Sequence, residues 1–206
     1  MRMSAHDDVA ALLGSAAARV VVGVTGPPGA GKTTLARSLV DEFTSRLGSA
    51  AVGYVPMDGY HLPNAVLDRL GRRDRKGAPD TFDAAGFVAT LRRIREGLDD
   101  VYVPDFDHTA GEPISGSLVV PASARLVIVE GNYLGLDVPD WRDVRQVLDR
   151  LIYVDADAET RRERLLNRHI AAGKTDAEAR AWIEAVDEPN AELIATTRAR
   201  ADTIVD

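Results

Sequence analysis

The chain has 206 residues, a length that suits one compact domain with a substantial core, and residues 1–206 are read as a single domain. Its formal net charge of −7 excludes the broad basic surface that general affinity for nucleic acid or anionic membranes requires, so any polyanion site must be local. With no cysteine it can hold no disulfide framework, thiolate metal site or catalytic thiol, which suits a reducing, cytoplasmic setting.

In chain order, the first feature is Ala10 to Ala18 (AALLGSAAA), which superficially resembles the apolar part of a secretory signal. Asp7 and Asp8 stand where a signal carries positive charge, so a short N-terminal helix is expected instead. Val20 to Val24 (VVVGV) is an apolar, β-branched run and predicts a buried strand. Gly26 to Thr33 (GPPGAGKT) then meets every fixed position of the template G-x-x-x-x-G-K-[ST]. Lys32 to Arg46 predicts an amphipathic helix with Leu35, Leu39, Phe43 and Leu47 near one face. Strand, glycine-rich loop and helix in that order are the context a phosphate-binding loop needs. Gly26, Gly29 and Gly31 let the backbone of the segment Gly26, Pro27, Pro28, Gly29, Ala30, Gly31, Lys32, Thr33 and Thr34 wrap a nucleotide phosphate with its N–H groups, and the helix N-terminus adds partial positive charge. Lys32 is expected to reach the β- and γ-phosphates, and the Thr33 hydroxyl to ligate Mg²⁺.

Further apolar runs at Ala51 to Met57, Arg125 to Val129 and Leu151 to Val154, with a short last one at Thr203 to Val205, alternate with helical patterns. This predicts an α/β fold of the P-loop NTPase kind, a doubly wound, five-stranded parallel sheet with helices on both faces. Between the second and third runs lies an excursion containing a helix near Ala84 to Gly97 and two short runs, Val101 to Val103 and Ser117 to Val120. These are expected to pair as a small hairpin at the substrate site, across a loop from Asp105 to Gly116. No apolar stretch approaches the roughly 20 residues that span a bilayer, so no membrane partner is expected.

In open parallel sheets ligands bind beyond the carboxyl ends of the strands. Asp58 follows the second run, Glu130 ends the third and Asp155 follows the fourth, while Asp105, Asp107 and His108 follow the short run Val101 to Val103. Several carboxylates are therefore expected on the edge that carries the phosphate loop, as a nucleotide site facing a second substrate site would require.

With these residues placed, the chain resembles the pantothenate kinase, uridine kinase and phosphoribulokinase group of P-loop kinases. PMDGYHLPN (Pro56 to Asn64), RKGAPDTFD (Arg75 to Asp83), VPDFDH (Val103 to His108), IVEGNYL (Ile128 to Leu134), IYVDADAETRRERLLNRH (Ile152 to His169) and PNAELIATTRARAD (Pro189 to Asp202) match family segments in the family's order. The resemblance implies Mg²⁺-dependent transfer of the ATP γ-phosphoryl group to a hydroxyl of a small-molecule acceptor. It assigns Asp58 as general base, Glu130 to Mg²⁺ or its water, and Phe106, Asp107 and His108 to the acceptor. Tyr60, His61, Asn64 and Asn190 would border the same pocket.

Residues 157–175 become the lid. Arg161, Arg164 and Arg168 fall at i, i+3 and i+7 on one helical face, and Arg168 is favoured for the phosphoryl group in transit. The basic cluster Arg69, Arg72, Arg73, Arg75 and Lys76 suits either an anionic acceptor or a merely solvated loop. A homodimer is compatible with the resemblance. A regulatory ATPase without an acceptor is the rival reading, although no N-K-x-D stretch for guanine is present. DGYHLPN favours pantothenate, the short chain is nearer a uridine kinase, and sugars such as fructose, or glycerate, remain open.

Overall fold

The computed structural model describes residues 4–16 and 18–206; Ala17, within the signal-like stretch, lies outside them. Helix α1 (Ala5–Ser15) starts at Ser4, whose hydroxyl accepts the Asp7 N–H. Strand β1 (Val20–Thr25) is buried throughout and runs through the glycine-rich loop into α2 (Lys32–Leu47). Then come β2 (Val52–Pro56), a 3-10 turn at Met57–Tyr60, α3 (Asn64–Leu70) and α4 (Ala84–Glu96). The hairpin β3 (Val101–Asp107) and β4 (Glu112–Val120) precedes β5 (Leu126–Glu130), α5 (Arg142–Val147) and β6 (Arg150–Val154). Helices α6 (Ala158–Ala171) and α7 (Asp176–Trp182), a π-turn at Ile183–Asp187, α8 (Glu188–Ala195) and β7 (Thr203–Val205) complete the chain.

The main sheet has five strands in the order β2-β5-β1-β6-β7, and every neighbouring pair is parallel. Successive strand residues point to opposite faces, so each β-branched run feeds two cores at once. Val20, Val22 and Val24 pack with α1 and α2 residues such as Val9, Leu39 and Phe43. Val21, Val127, Val129 and Tyr153 pack with Phe87, Trp141, Val144 and Ile194 on the other side. The sheet is thus doubly wound, as expected, and β5 inserts between β1 and β2. The crossovers from β1 and β5 therefore diverge at the carboxyl ends of the central strands, where such folds open a crevice. Among the described residues no helix is long and apolar enough to cross a membrane.

The hairpin is longer than expected. Its strands extend to Asp107 and Glu112, so the loop foreseen from Asp105 to Gly116 shrinks to a tight turn. A register shift between Val103 and Asp105 absorbs Pro104, which has no N–H to give the ladder, and pairing resumes beyond it. The Asp107 carboxylate accepts the N–H groups of Thr109 and Ala110, and Gly111, at φ +68°, closes the turn.

Asp149, just before β6, ties the first strand to the sheet's helical cover. Its carboxylate accepts the Val21 N–H at 2.8 Å and both Arg95 guanidinium nitrogens at 2.7 and 2.6 Å. Burial pushes this carboxyl up, but the Arg95 and Val21 bonds outweigh it and hold the group below the usual carboxylate range. A depressed carboxyl stabilises the fold above its unfolded value, and that stability is lost as pH falls through the folded value. Asp149→Ala should cost roughly 1–3 kcal/mol at neutral pH, because it strands a cation and a strand N–H. Urea unfolding at neutral pH, and again at a pH below the carboxylate range, should show the gap to wild type shrinking in acid.

Candidate functional site

The loop between β1 and α2 is held by close approaches that only glycine permits. Gly26, at φ +148°, would place a Cβ 2.3 Å from the Val154 carbonyl oxygen, and one on Gly29, at φ +78°, would lie 2.7 Å from the Arg161 carbonyl oxygen. The loop therefore lies directly against the end of β6 and the start of α6. Lys32, the first residue of α2, is buried, and its Nζ donates to the Pro27 carbonyl at 3.0 Å. Burial pulls its ammonium below the usual lysine range, opposed by the negative charges of Glu130 and Asp58 and reinforced by Arg168 and Arg161. Five charged groups thus act on one another at the carboxyl edge of the sheet.

Asp58 reaches this edge from the 3-10 turn after β2. That turn packs closely on the hairpin, for a Cβ on Gly59 would sit 2.3 Å from the Pro104 carbonyl oxygen. Glu130 ends β5, buried, with the Tyr54 hydroxyl donating to its Oε2 at 3.3 Å and the Thr33 side chain also hydrogen-bonded to it. Burial pushes the Glu130 carboxyl up to about 7; Lys32 opposes the rise and Asp58 adds to it. A hydroxyl and two carboxylates form a hard-oxygen set with unrelieved negative charge. Among the described residues no three His, Cys, Asp or Glu side chains form a metal cage. This fits Mg²⁺, which is held by one or two protein oxygens and completes its shell with water and phosphate oxygens.

Helix α6 lies over the loop. Arg161 is buried, with Nη1 3.4 Å from the Pro28 carbonyl and Nη2 3.5 Å from Glu188. Arg164 donates to the Gly29 and Ala30 carbonyls, each at 3.2 Å. Arg168 is 57% exposed and has one long contact, 3.9 Å to Asp187, whose carboxylate also accepts from the His169 Nε2–H at 2.8 Å. Arg164 and Arg168 border a recess of about 170 Å³ together with Gly29, Gly31, Lys32 and Thr33. A larger groove of about 1160 Å³ leads away from it between α2 and the segment Asp155–Asp157. The sequence offers no motif for this groove; its walls meet only through the sheet order.

On the other side of Asp58 the chain gathers its aromatic residues. His61 Nδ1 lies 2.8 Å from the Asp58 carbonyl oxygen, and its ring packs on Phe82 at 3.9 Å and Phe106 at 4.8 Å between centroids. Burial pulls His61 below the usual imidazole range, so the neutral ring donates through Nδ1 and keeps Nε2 as an acceptor. Lys76 turns inward, bonding the Asn64 Oδ1 and the Gly111 carbonyl, each at 2.6 Å, beside the Phe106 ring. Arg72 and Arg75 of the same cluster instead pair with Asp80 at the surface.

Other expected pocket residues stand differently. Tyr60 was placed in the pocket, but the 3-10 turn sends its ring into the core against Phe87. The Asp107 carboxylate, exposed, is occupied in closing the hairpin turn, and His108 follows it there with its ring edge against Phe106. Asn190 is buried and donates to the Gly77 carbonyl at 3.4 Å, sharing it with the Tyr133 hydroxyl. The sequence reading did not single out Phe82, which packs on the His61 ring, or the buried Tyr133, which packs edge-on against Phe82, although both fall inside matched segments.

A parallel five-stranded sheet, a glycine loop closing on a buried lysine and an arginine-bearing helix against that loop define a P-loop kinase. Residues 21–206 match the Phosphoribulokinase / Uridine kinase family, and the chain belongs to it. It is 36% identical over 174 residues, 82% of this chain and 74% of the relative, to a provisionally named uridine kinase of Schizosaccharomyces pombe. To the pantothenate kinase of Clavibacter sepedonicus it is 31% identical over 226 residues, covering 97% of this chain and 70% of that one. A crystal structure from Silicibacter sp. TM1040, provisionally assigned as a fructose transport system kinase, superposes with a TM-score of 0.88 at 32% identity, over 99% of this chain and 100% of that one. The protein is a small-molecule kinase.

Glu130 supplies a direct test of the site's electrostatics. A carboxyl raised in the fold stabilises the protein below its unfolded value, and that contribution disappears as pH rises through the folded value of about 7. Glu130→Gln should therefore raise the stability of the nucleotide-free protein by about 1–3 kcal/mol at alkaline pH and change it little in acid, on a scale of 1.36 kcal/mol for each pH unit. Thermal melts at the two pH values check this.

Proposed function

We propose that the protein transfers the γ-phosphoryl group of ATP to a hydroxyl of a small metabolite, with Asp58 as the base that accepts the hydroxyl proton. The observation that carries the reading is the gathering of Lys32, Asp58 and Glu130 beside the loop, where the two carboxylates act on Lys32 and the charges of Lys32 and Asp58 act on Glu130. Segment Gly26 to Thr34 wraps the phosphates, and Lys32 exchanges its Pro27 carbonyl for phosphate oxygens. Thr33 and Glu130 would hold Mg²⁺, which would supply charge neutralisation to the phosphates. Arg168, the most loosely held of the lid arginines, reaches the group in transit.

His61, Phe106, Asn64 and Lys76 form the acceptor wall, with His108 at its rim and Asn190 behind it. His61 Nε2 accepts a hydrogen bond from an acceptor hydroxyl, while Asp107 serves through the turn it closes. The end-to-end match to the Silicibacter kinase ranks free sugars first among acceptors to test. Pantothenate, uridine and glycerate follow. The protein would act in the cytoplasm as one domain, and neither the phosphate loop nor the acceptor wall requires a partner subunit.

Lys32→Ala should lower turnover by at least about 100-fold through loss of the cation facing the transition-state charge. Asp58→Asn should leave ATP affinity near normal and lower kcat by roughly 100-fold or more, the scale of general-base catalysis. ATP consumption measured across sugars, pantothenate, nucleosides and glycerate identifies the acceptor. Retained turnover in a folded Asp58→Asn protein would refute the assigned base.

A further inference from the structure

Two adjacent carboxylates, Asp187 and Glu188, meet four basic residues of α6 and divide them evenly. Glu188 lies 3.5 Å from Arg161 and 3.3 Å from Arg162, while Asp187 lies 3.9 Å from Arg168 and 2.8 Å from His169. Neighbouring residues of a regular helix point about 100° apart, and the π-turn at Ile183–Asp187 widens the helix where these two carboxylates emerge. Pro189 gives the sequence reason. It has no N–H to return to the Ala185 carbonyl, so the regular ladder is interrupted just there.

The two halves of this cluster differ. Glu188 faces Arg161, a buried side chain already turned to the Pro28 carbonyl. The Asp187 carboxylate is itself buried, and so is the His169 ring that donates to its Oδ2. A buried carboxylate is retained only where partners satisfy it, and this bond fixes the orientation of the group. Its second oxygen, Oδ1, then faces Arg168. At 3.9 Å the contact is an ion pair without a hydrogen bond, so it directs the guanidinium without occupying its donors. Arg164, by contrast, spends Nη1 on the Gly29 and Ala30 carbonyls. Arg168 borders the recess of about 170 Å³ with Lys32 and Thr33, and its charge bears on Lys32.

We infer that His169 and Asp187 are positioning residues for phosphoryl transfer: His169 fixes the Asp187 carboxylate, whose second oxygen steers Arg168 over the recess toward the terminal phosphate of the donor. This rests on the kinase reading, which places the donor's phosphates in that recess and Arg168 at the group in transit. A long side chain loses rotamer freedom when it closes on a ligand, and a standing ion pair behind it reduces that loss. Because the steered arginine meets only the last phosphate, the pair matters to a nucleoside triphosphate and not to a diphosphate.

Titration calorimetry in the presence of Mg²⁺ tests this with the β,γ-imido analogue of ATP, whose terminal phosphate is not transferred, and with ADP. The whole chain is compared with its Arg168→Ala, Asp187→Asn, His169→Leu and His169→Gln variants. Asp187→Asn keeps the shape and an acceptor for His169 but removes the charge that steers the arginine. It should lower triphosphate affinity about 5- to 10-fold, the scale of one charge-assisted contact, and leave ADP within about twofold. His169→Leu should do the same, and His169→Gln, whose amide can still donate to Asp187, should restore most of the loss. In the Arg168→Ala background Asp187→Asn should add nothing, since its effect passes through the arginine. No loss in Asp187→Asn, equal losses for the two nucleotides, or an Asp187→Asn effect that persists without Arg168 would overturn the inference and leave the pair a fold element only. If His169→Leu fails to fold, Asp187→Asn decides. An Arg168→Ala protein that keeps its full preference for the triphosphate would remove that arginine from the donor, and the inference with it. A wild-type protein that binds neither nucleotide would overturn the kinase reading itself.

Discussion

The buried ammonium of Lys32 is the constraint around which the carboxyl edge of this sheet is organised. A lone charge in such surroundings is costly, and the fold offsets the cost with the Pro27 carbonyl and the nearby charges of Glu130 and Asp58. Burial, with the Asp58 charge beside it, then pushes the Glu130 carboxyl up to about 7. The site is therefore electrostatically incomplete in two complementary ways. Its cation lacks an anion of matching strength, and its carboxylates lack a cation. On the proposed function, a nucleotide accompanied by a divalent ion would supply both.

Backbone geometry makes this arrangement possible. Gly26 and Gly29 let the loop touch Val154 and Arg161, so the glycine-rich loop, β6 and helix α6 form one packed unit. At the junction of the π-turn and α8, Asp187 and Glu188 gather Arg161, Arg162, Arg168 and His169 of α6. Arg161 is fixed by burial and Arg168 is not, which separates a scaffolding arginine from one free to move. π-turns of this kind commonly mark functional segments of a helix.

Much of this was legible in the sequence because its signals are local. GPPGAGKT between an apolar run and an amphipathic helix specifies strand, loop and helix through neighbouring residues alone, and the five β-branched runs became the five strands of the sheet. Tyr60 was less legible, because a 3-10 turn rather than a continued strand decides which side of the chain it faces. The hairpin's length depended on Pro104 being absorbed as an irregularity and on Asp107 capping the turn, both of which need the partner strand. The inward turn of Lys76, unlike its basic neighbours, depends on Asn64 and Gly111, 12 and 35 residues away. The groove beside α1 was invisible for the same reason, since its walls come from both ends of the chain.

The central claim, that Glu130 and Lys32 form an incomplete charge set that the Mg·ATP complex completes, is tested most directly by counting protons. Metal binding to a carboxylate requires the charged form. Calorimetric titration of Mg·ATP near pH 7, in buffers of different ionisation enthalpy, should show net release of about half a proton, as a group titrating at about 7 dictates. That release should vanish in Glu130→Gln. An identical proton count in wild type and Glu130→Gln would contradict the account.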